Sequence, residues 1–191
     1  PQANEGFIDV SCGDRHSLGL KSDGTIIGWG NNISGQCDGP EPNGNFVAVA
    51  AGAMHSLGLK SDGSIVAWGG NLYGQCDVPD TNSVFVDIAA GQYHSLGLRA
   101  DGSILAWGRN DQGQCDVPAT NSDFIAIAAG EDHSLGLKSN GTLVAWGENG
   151  VGQCNVPDPN ENFVAVGGGI THSVALRGDG TLVAWGANGF R

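Results

Sequence analysis

Short runs in which larger and smaller side chains alternate recur along this chain, each closed by glycine. Phe46-Val-Ala-Val-Ala50 is followed by Gly52, and the alternation sets Val47 and Val49 against Phe46, Ala48 and Ala50. His55-Ser-Leu-Gly-Leu-Lys60 puts His55, Leu57 and Leu59 on one side and Ser56 and Gly58 on the other, the period-two pattern of a strand. In Ser64-Ile-Val-Ala-Trp-Gly69, Val66 and Trp68 oppose Ile65 and Ala67. Asp62-Gly63 between the last two runs predicts a two-residue type I′ hairpin, which needs positive φ at both positions. A glycine-rich loop then leads to Gly74-Gln-Cys-Asp-Val-Pro79, predicted as a weaker fourth strand or strand-like edge closed by proline.

The pattern is one unit of a repeat. His16, His55, His94, His133 and His172 are each 39 residues apart, as are Trp29, Trp68, Trp107, Trp146 and Trp185. Phe7, Phe46, Phe85, Phe124 and Phe163 keep the same spacing, and Cys37, Cys76, Cys115 and Cys154 add a fourth series. The chain therefore reads as a single repeat domain, residues 1–191, with units 1–39, 40–78, 79–117, 118–156 and 157–191. Neither face of such a sheet is polar, so each needs a neighbouring sheet on both sides. The expected fold is all-β: a β-propeller built from five tandem 39-residue repeats, five blades if the ring closes, with an open arc or a fragment of a larger propeller as alternatives. The last unit has no counterpart of Gln75-Cys-Asp-Val78, which leaves an edge available for self-association.

At Gly-x-x-His-Ser-Leu-Gly-Leu-Lys-Ser-Asp-Gly-Ser-Ile-Val-Ala-Trp-Gly the chain resembles the regulator-of-chromosome-condensation repeat family, over all five units. Glycine, not aspartate, follows each tryptophan, which separates it from WD repeats. The period and the Gly-Gln-Cys-Asp-Val-Pro segment are similar to bacterial members, a group that includes secreted β-lactamase-inhibitor proteins. The resemblance implies a propeller, most often of seven blades, and roles ranging from GTPase exchange to interaction scaffold and enzyme inhibition. A fold does not choose among them.

Composition narrows the choice. Glycine at 33 residues beside 40% hydrophobic residues fits many tight turns within a foldable chain. With eight Lys and Arg and a net charge of −12 there is no basic stripe, so nucleic acid and anionic membrane surfaces are not expected partners. No apolar run approaches the length of a membrane span. The start at Pro1, without a signal-peptide pattern, reads as a processed chain or a fragment.

Repetition also argues against chemistry. One histidine per unit does not make a ligand set, so each reads as a buried ring bonded to a loop backbone, and no metal or other cofactor is expected. The tryptophans read as core, with a sugar-stacking set as the alternative. Cysteines at equivalent places on separate blades lie too far apart for disulfides. They read as buried free thiols, Cys12 among them as a small core filler, which points weakly to a reducing compartment, while the family resemblance also allows secretion. Asp23-Gly24 and its equivalents read as turn chemistry rather than calcium ligands. Asn140-Gly-Thr142 and Asn32-Ile-Ser34 match glycosylation sequons, the first within a hairpin. No nucleophile–base constellation occurs, so an enzyme is not expected.

A repeat scaffold acquires function where its units differ. The pair before each histidine varies: Asp14-Arg15, Ala53-Met54, Gln92-Tyr93, Glu131-Asp132 and Ile170-Thr171. So does the loop after each Trp-Gly, with Tyr73, Arg109 and Phe190 among its residues. Aromatic, Met and Arg side chains are common interface anchors. The candidate interface is therefore Arg15, Met54, Tyr73, Tyr93, Arg109, Glu131, Asp132 and Phe190. The expected function is a non-enzymatic scaffold that binds a protein partner through its variable loops. A self-assembling unit of a larger surface protein and a lectin-like multivalent binder are the alternatives.

Overall fold

A computed structural model describes residues 5–80 and 83–187. It contains fifteen strands, three in each unit. In unit 2 they are Phe46–Ala51, His55–Lys60 and Ile65–Gly69, paired in order as an antiparallel meander. The other four units repeat this arrangement as separate three-stranded sheets.

The predicted fourth strand is absent: Gly74–Val78 forms turns. Another device satisfies part of the outer edge that such a strand would have covered. Asn43 accepts the Ile26 amide and donates to the Ile26 carbonyl, both at 2.8 Å, which mimics one residue of a paired strand. Asn121 and Asn160 do the same for Ile104 and Leu143. The hairpin also differs from expectation. Gly63 has φ 83° but Asp62 is not among the residues with positive φ, so the turn is not type I′. Instead Gly63 N–H donates to Lys60 O and Lys60 N–H to Ser64 O, which closes a three-residue loop with glycine at the left-handed position.

A β-bulge sets the packing. Phe46 lies opposite Lys60 while Ala48 lies opposite Leu59, so Val47 is an extra residue in the first strand. The bulge turns Phe46 to the side of Val49 and Ala51, not to that of Ala48 and Ala50 as alternation predicted. The same irregularity occurs in every unit. Leu18, Leu20 and Ile26 of unit 1 then pack on Phe46, Val49 and Trp68 of unit 2. Equivalent clusters fill the next three seams. Each fully buried Leu, Ile or Phe in a seam contributes on the order of 2 kcal/mol, so successive units are stabilised chiefly by each other.

The repeated histidines and tryptophans cross these seams. His16 Nε2 lies 2.9 Å from Ser56 Oγ of the next unit, and His55, His94 and His133 meet Ser95, Ser134 and Ser173 alike. The partner is thus a serine hydroxyl rather than the loop backbone expected from sequence. Ser56 Oγ–H donates to the Gln36 carbonyl, which also receives the Trp68 indole N–H. Because the serine proton is committed there, its oxygen accepts from histidine and the imidazole proton sits on Nε2. Nδ1 of His16, His55, His94 and His133 is buried without a partner.

Near the axis the backbones almost touch. A Cβ on Gly52 would stand 2.5 Å from the Gly91 carbonyl oxygen and 2.2 Å from the His55 ring, so only glycine fits between the units. Neighbouring units pack strand on strand from 1 to 5, whereas among the described residues units 1 and 5 share no such packing. The propeller is open.

Candidate functional site

Both variable loops lie at the same end of each sheet. The amide following Trp-Gly donates to the carbonyl of the residue before histidine: Asn31 to Arg15, Gly70 to Met54, Arg109 to Tyr93, Glu148 to Asp132 and Ala187 to Thr171. With the units ranged about one axis, these segments, as far as they are described, occupy one face.

On that face the second loop of one unit meets the first loop of the next, and the middle units bring four candidate residues together. The Tyr73 and Tyr93 rings have centroids 5.1 Å apart at 49°. The Arg109 guanidinium stands 5.5 Å from the Tyr73 centroid. It also pairs with Asp111 at 2.7 Å and Asp132 at 3.5 Å. Asp132 in turn accepts a 3.0 Å hydrogen bond from the buried Gln114 amide. Units 2, 3 and 4 thus supply one continuous cluster of aromatic, cationic and anionic groups. Arg109 is held by two carboxylates and a ring face, which spares a ligand the entropy of ordering it. Burial raises the Asp132 pKa, opposed by Arg109, and hydrogen bonding from Arg109 lowers that of Asp111.

The remaining candidates are dispersed. Met54 is half-buried beside Gly70, and Arg15 is exposed on unit 1 outside the described cluster. Glu131 faces the axis. Phe190 lies outside the described residues. The axis itself was not among the expectations. A cavity of about 360 Å³ is lined by the equivalent segment of every unit, from Cys12-Gly13-Asp14 to Gly168-Gly169-Ile170. At its mouth Gln92 Nε2 donates to Glu131 Oε1, and the backbone amides of Ala53, Gln92 and Glu131 each donate to the next unit's loop. Burial, then Asp132 and Asp14, raise the Glu131 pKa. The sequence signal for this site was the first residue of each variable pair, of which only Glu131 was among the candidates.

Carboxylates outnumber cations on the loop face, whereas hairpins at the opposite end set a cation beside a carboxylate, Lys21 with Asp23 and Lys60 with Asp62. Asp14, Asp111, Glu131, Asp132 and Glu148 share the loop face with Arg15 and Arg109. At the opposite end Lys21, Lys60, Lys138 and Arg177 stand within about 5.5 Å of the Phe7, Phe46, Phe124 and Phe163 rings.

The other candidate chemistries have structural explanations. Trp107 and Trp146 are buried in seams, so they offer no stacking platform. Asp62 accepts from the Ser64 amide and hydroxyl, a turn that holds its carboxyl below the usual range. Asn140 makes the same turn with Thr142. All five cysteines are free. Burial pushes Cys76, Cys115 and Cys154 up to about 11, 12 and 11, so these thiols are poor nucleophiles. Cys12 is exposed, not a core filler, because among the described residues no other unit packs against that side of unit 1. Among the described residues no group of three or more His, Cys, Asp or Glu side chains is placed to hold a metal ion.

Several solved structures share this architecture. Human WBSCR16 is 21% identical with a TM-score of 0.82, covering 97% of this chain and 63% of that one. Prp20p of Saccharomyces cerevisiae is 23% identical with a TM-score of 0.83, covering 99% and 59%. The receptor kinase CR4 ectodomain of Physcomitrella patens is 25% identical with a TM-score of 0.81, covering 97% and 53%. The chain spans roughly three fifths or less of the length of these structures. No curated protein matches it in sequence. The model of the regulator of chromosome condensation (RCC1) repeat matches residues 7–36, 46–75, 85–114, 124–153 and 163–191, and the chain belongs to that repeat family.

Proposed function

We propose that the chain is a non-enzymatic scaffold that binds a protein partner on its loop face, centred on Tyr73, Tyr93, Arg109 and Asp132. The observation that carries this reading is their convergence. Positions that break the repeat, drawn from three units, form one packed and partly exposed cluster. Tyrosine and arginine held in fixed orientations are typical anchors of protein interfaces. The excess of carboxylates over cations on this face favours a partner whose contacting surface is positive. Structural relatives point the same way: Prp20p has binding properties toward Gsp1p and histones, and CR4 supplies the ectodomain of a receptor kinase. The resemblance of the Gly-Gln-Cys-Asp-Val-Pro segment to bacterial inhibitor propellers also fits a role in gripping another protein.

The test is affinity capture with the wild-type chain, a Tyr73→Ala/Tyr93→Ala variant and a Lys21→Glu/Lys60→Glu variant altered on the opposite end. Recovery of the partner is expected to fall at least tenfold for the tyrosine variant and to persist for the lysine variant. Equal recovery with the tyrosine variant rejects this surface.

A further inference from the structure

The loop face changes character from seam to seam. At the seam of units 1 and 2 the second loop carries Ile33 at its tip, 84% exposed, and Met54 and Ser34 both flank Gly70. At the next seam the tip is Leu72, 83% exposed, followed by Tyr73 with its partner ring Tyr93. At the seam of units 3 and 4 the corresponding residues are Asp111 and Asp132, bridged by Arg109. Glu131 precedes Asp132, and Glu148 opens the loop at the seam of units 4 and 5. The arc is thus apolar over two seams and acidic beyond them. Arg109, 5.5 Å from the Tyr73 centroid, marks the border. Each of these seams lies between two units of this chain.

Asp111, Glu131, Asp132 and Glu148 are opposed by one guanidinium, that of Arg109, among the described residues of these loops. Burial raises the Asp132 pKa, Arg109 opposes the rise, and Asp111 and Glu148 add to it. A cation brought among these groups relieves repulsion that Arg109 leaves in place. Other charges do not create the contrast. Asp14 and Arg15 offset each other on unit 1, and Asp38, Asp77 and Asp116 recur in three units, each bonded by an asparagine.

We propose that the protein partner meets this face with a linear strip of two parts: apolar side chains against Ile33, Leu72 and Tyr73, then lysine or arginine against Glu131, Asp132 and Glu148. This rests on the loop-face reading above and adds the partner's chemistry and the direction in which it lies. Burial of the aliphatic tips supplies affinity. The carboxylates fix the direction, because a reversed strip sets cations on Ile33 and Leu72 and apolar groups on desolvated charge.

Synthetic peptides read by fluorescence anisotropy test it. One joins a Leu-Trp-Leu block to a lysine block, a second replaces lysine with glutamate, and a third replaces the apolar block with serine. The first is expected to bind the parent chain about tenfold more tightly than either of the others. Ile33→Ser/Leu72→Ser is expected to weaken that binding about fivefold and to keep its salt dependence. Glu131→Gln/Glu148→Gln, which leaves the ion pairs of Arg109 intact, is expected to weaken it at low salt and flatten the dependence. Unchanged melting verifies the fold, and Leu72→Ser or Glu148→Gln alone serves where a double variant melts early. Equal affinity for the lysine and glutamate peptides overturns the proposal. So does parent-like binding of the first peptide by either variant, and so does its failure to bind the parent. Partner capture that still depends on Tyr73 and Tyr93 would then keep the loop face as the site and remove only the two-part strip.

Discussion

His94 Nε2 lies 3.0 Å from Ser134 Oγ across the seam between units 3 and 4, with both side chains fully buried. The serine hydroxyl donates in turn to the Gln114 carbonyl at 2.8 Å. A single hydroxyl therefore satisfies a ring of one unit and a loop of the same preceding unit while sitting on the next. Ser134→Ala removes it from both and leaves the His94 N–H buried without an acceptor. The expected cost is about 1–3 kcal/mol. Ser17→Ala, at the open end, deletes the equivalent hydroxyl where no seam exists and is expected to stay within about 0.5 kcal/mol. Urea unfolding of the two variants beside the parent reads the difference; equal costs would show that the seam hydrogen bond contributes nothing beyond the lost side chain.

The same histidines give folding a pH dependence. Burial pushes His55, His94 and His133 down from 6.5 to about 4, 3 and 4, because the charged ring has no solvation there. Their folded values lie below the unfolded one, so the unfolded chain binds more protons between these limits. Stability is then complete above about pH 6.5 and declines as pH falls toward about 4, by up to about 3 kcal/mol per histidine. Asp87, Glu131 and Asp132, raised by burial, oppose the decline to a smaller extent at its acidic end. Thermal melts across this window are expected to show Tm falling with acidity, and less steeply for His94→Gln. A Tm that does not change below the ordinary histidine pKa would contradict the buried neutral rings.

How far the fold was legible depended on whether a feature obeys a period. His55–Lys60 is a strand with the predicted bounds because its faces are written at every second position. The repeat made the stacking legible in the same way. Phe46 was assigned to the wrong side because the bulge at Val47 inserts a residue, and nothing in the side-chain pattern marks a bulge. Gln75, Cys76 and Val78 looked like an edge strand, yet Gln75 is buried with its carbonyl turned to the next unit's tryptophan and serine. A repeat pattern shows that such residues matter but not whether they pair as a strand or cap one. The contact of Tyr73 with Tyr93 was illegible for a related reason. They belong to different loops of different units, and they meet only because the loop after one unit's third strand lies against the loop before the next unit's second strand.

Departures from the repeat also leave correctable faults. Gln114 Nε2 donates to Asp132 of the next unit, and Gln36 Nε2 finds Asn31 within its own unit. Gln153 Nε2 is equally buried but has no partner, because unit 5 carries Thr171 where unit 4 carries Asp132. An aspartate at this position would restore an acceptor, but Glu148 stands in the repeat where Arg109 stands, and Arg109 is the residue that faces Asp132. An added charge would face like charge there. Asparagine has the same reach and a neutral carbonyl. Thr171→Asn is therefore expected to raise stability by about 0.5–1.5 kcal/mol, the net worth of one new hydrogen bond, with the gain confined to the seam between units 4 and 5. Hydrogen exchange reads this locally: amides of His172–Arg177 should slow while those of His16–Lys21, at the other end of the arc, keep their rates. A variant that melts no later than the parent would mean that water already serves Gln153.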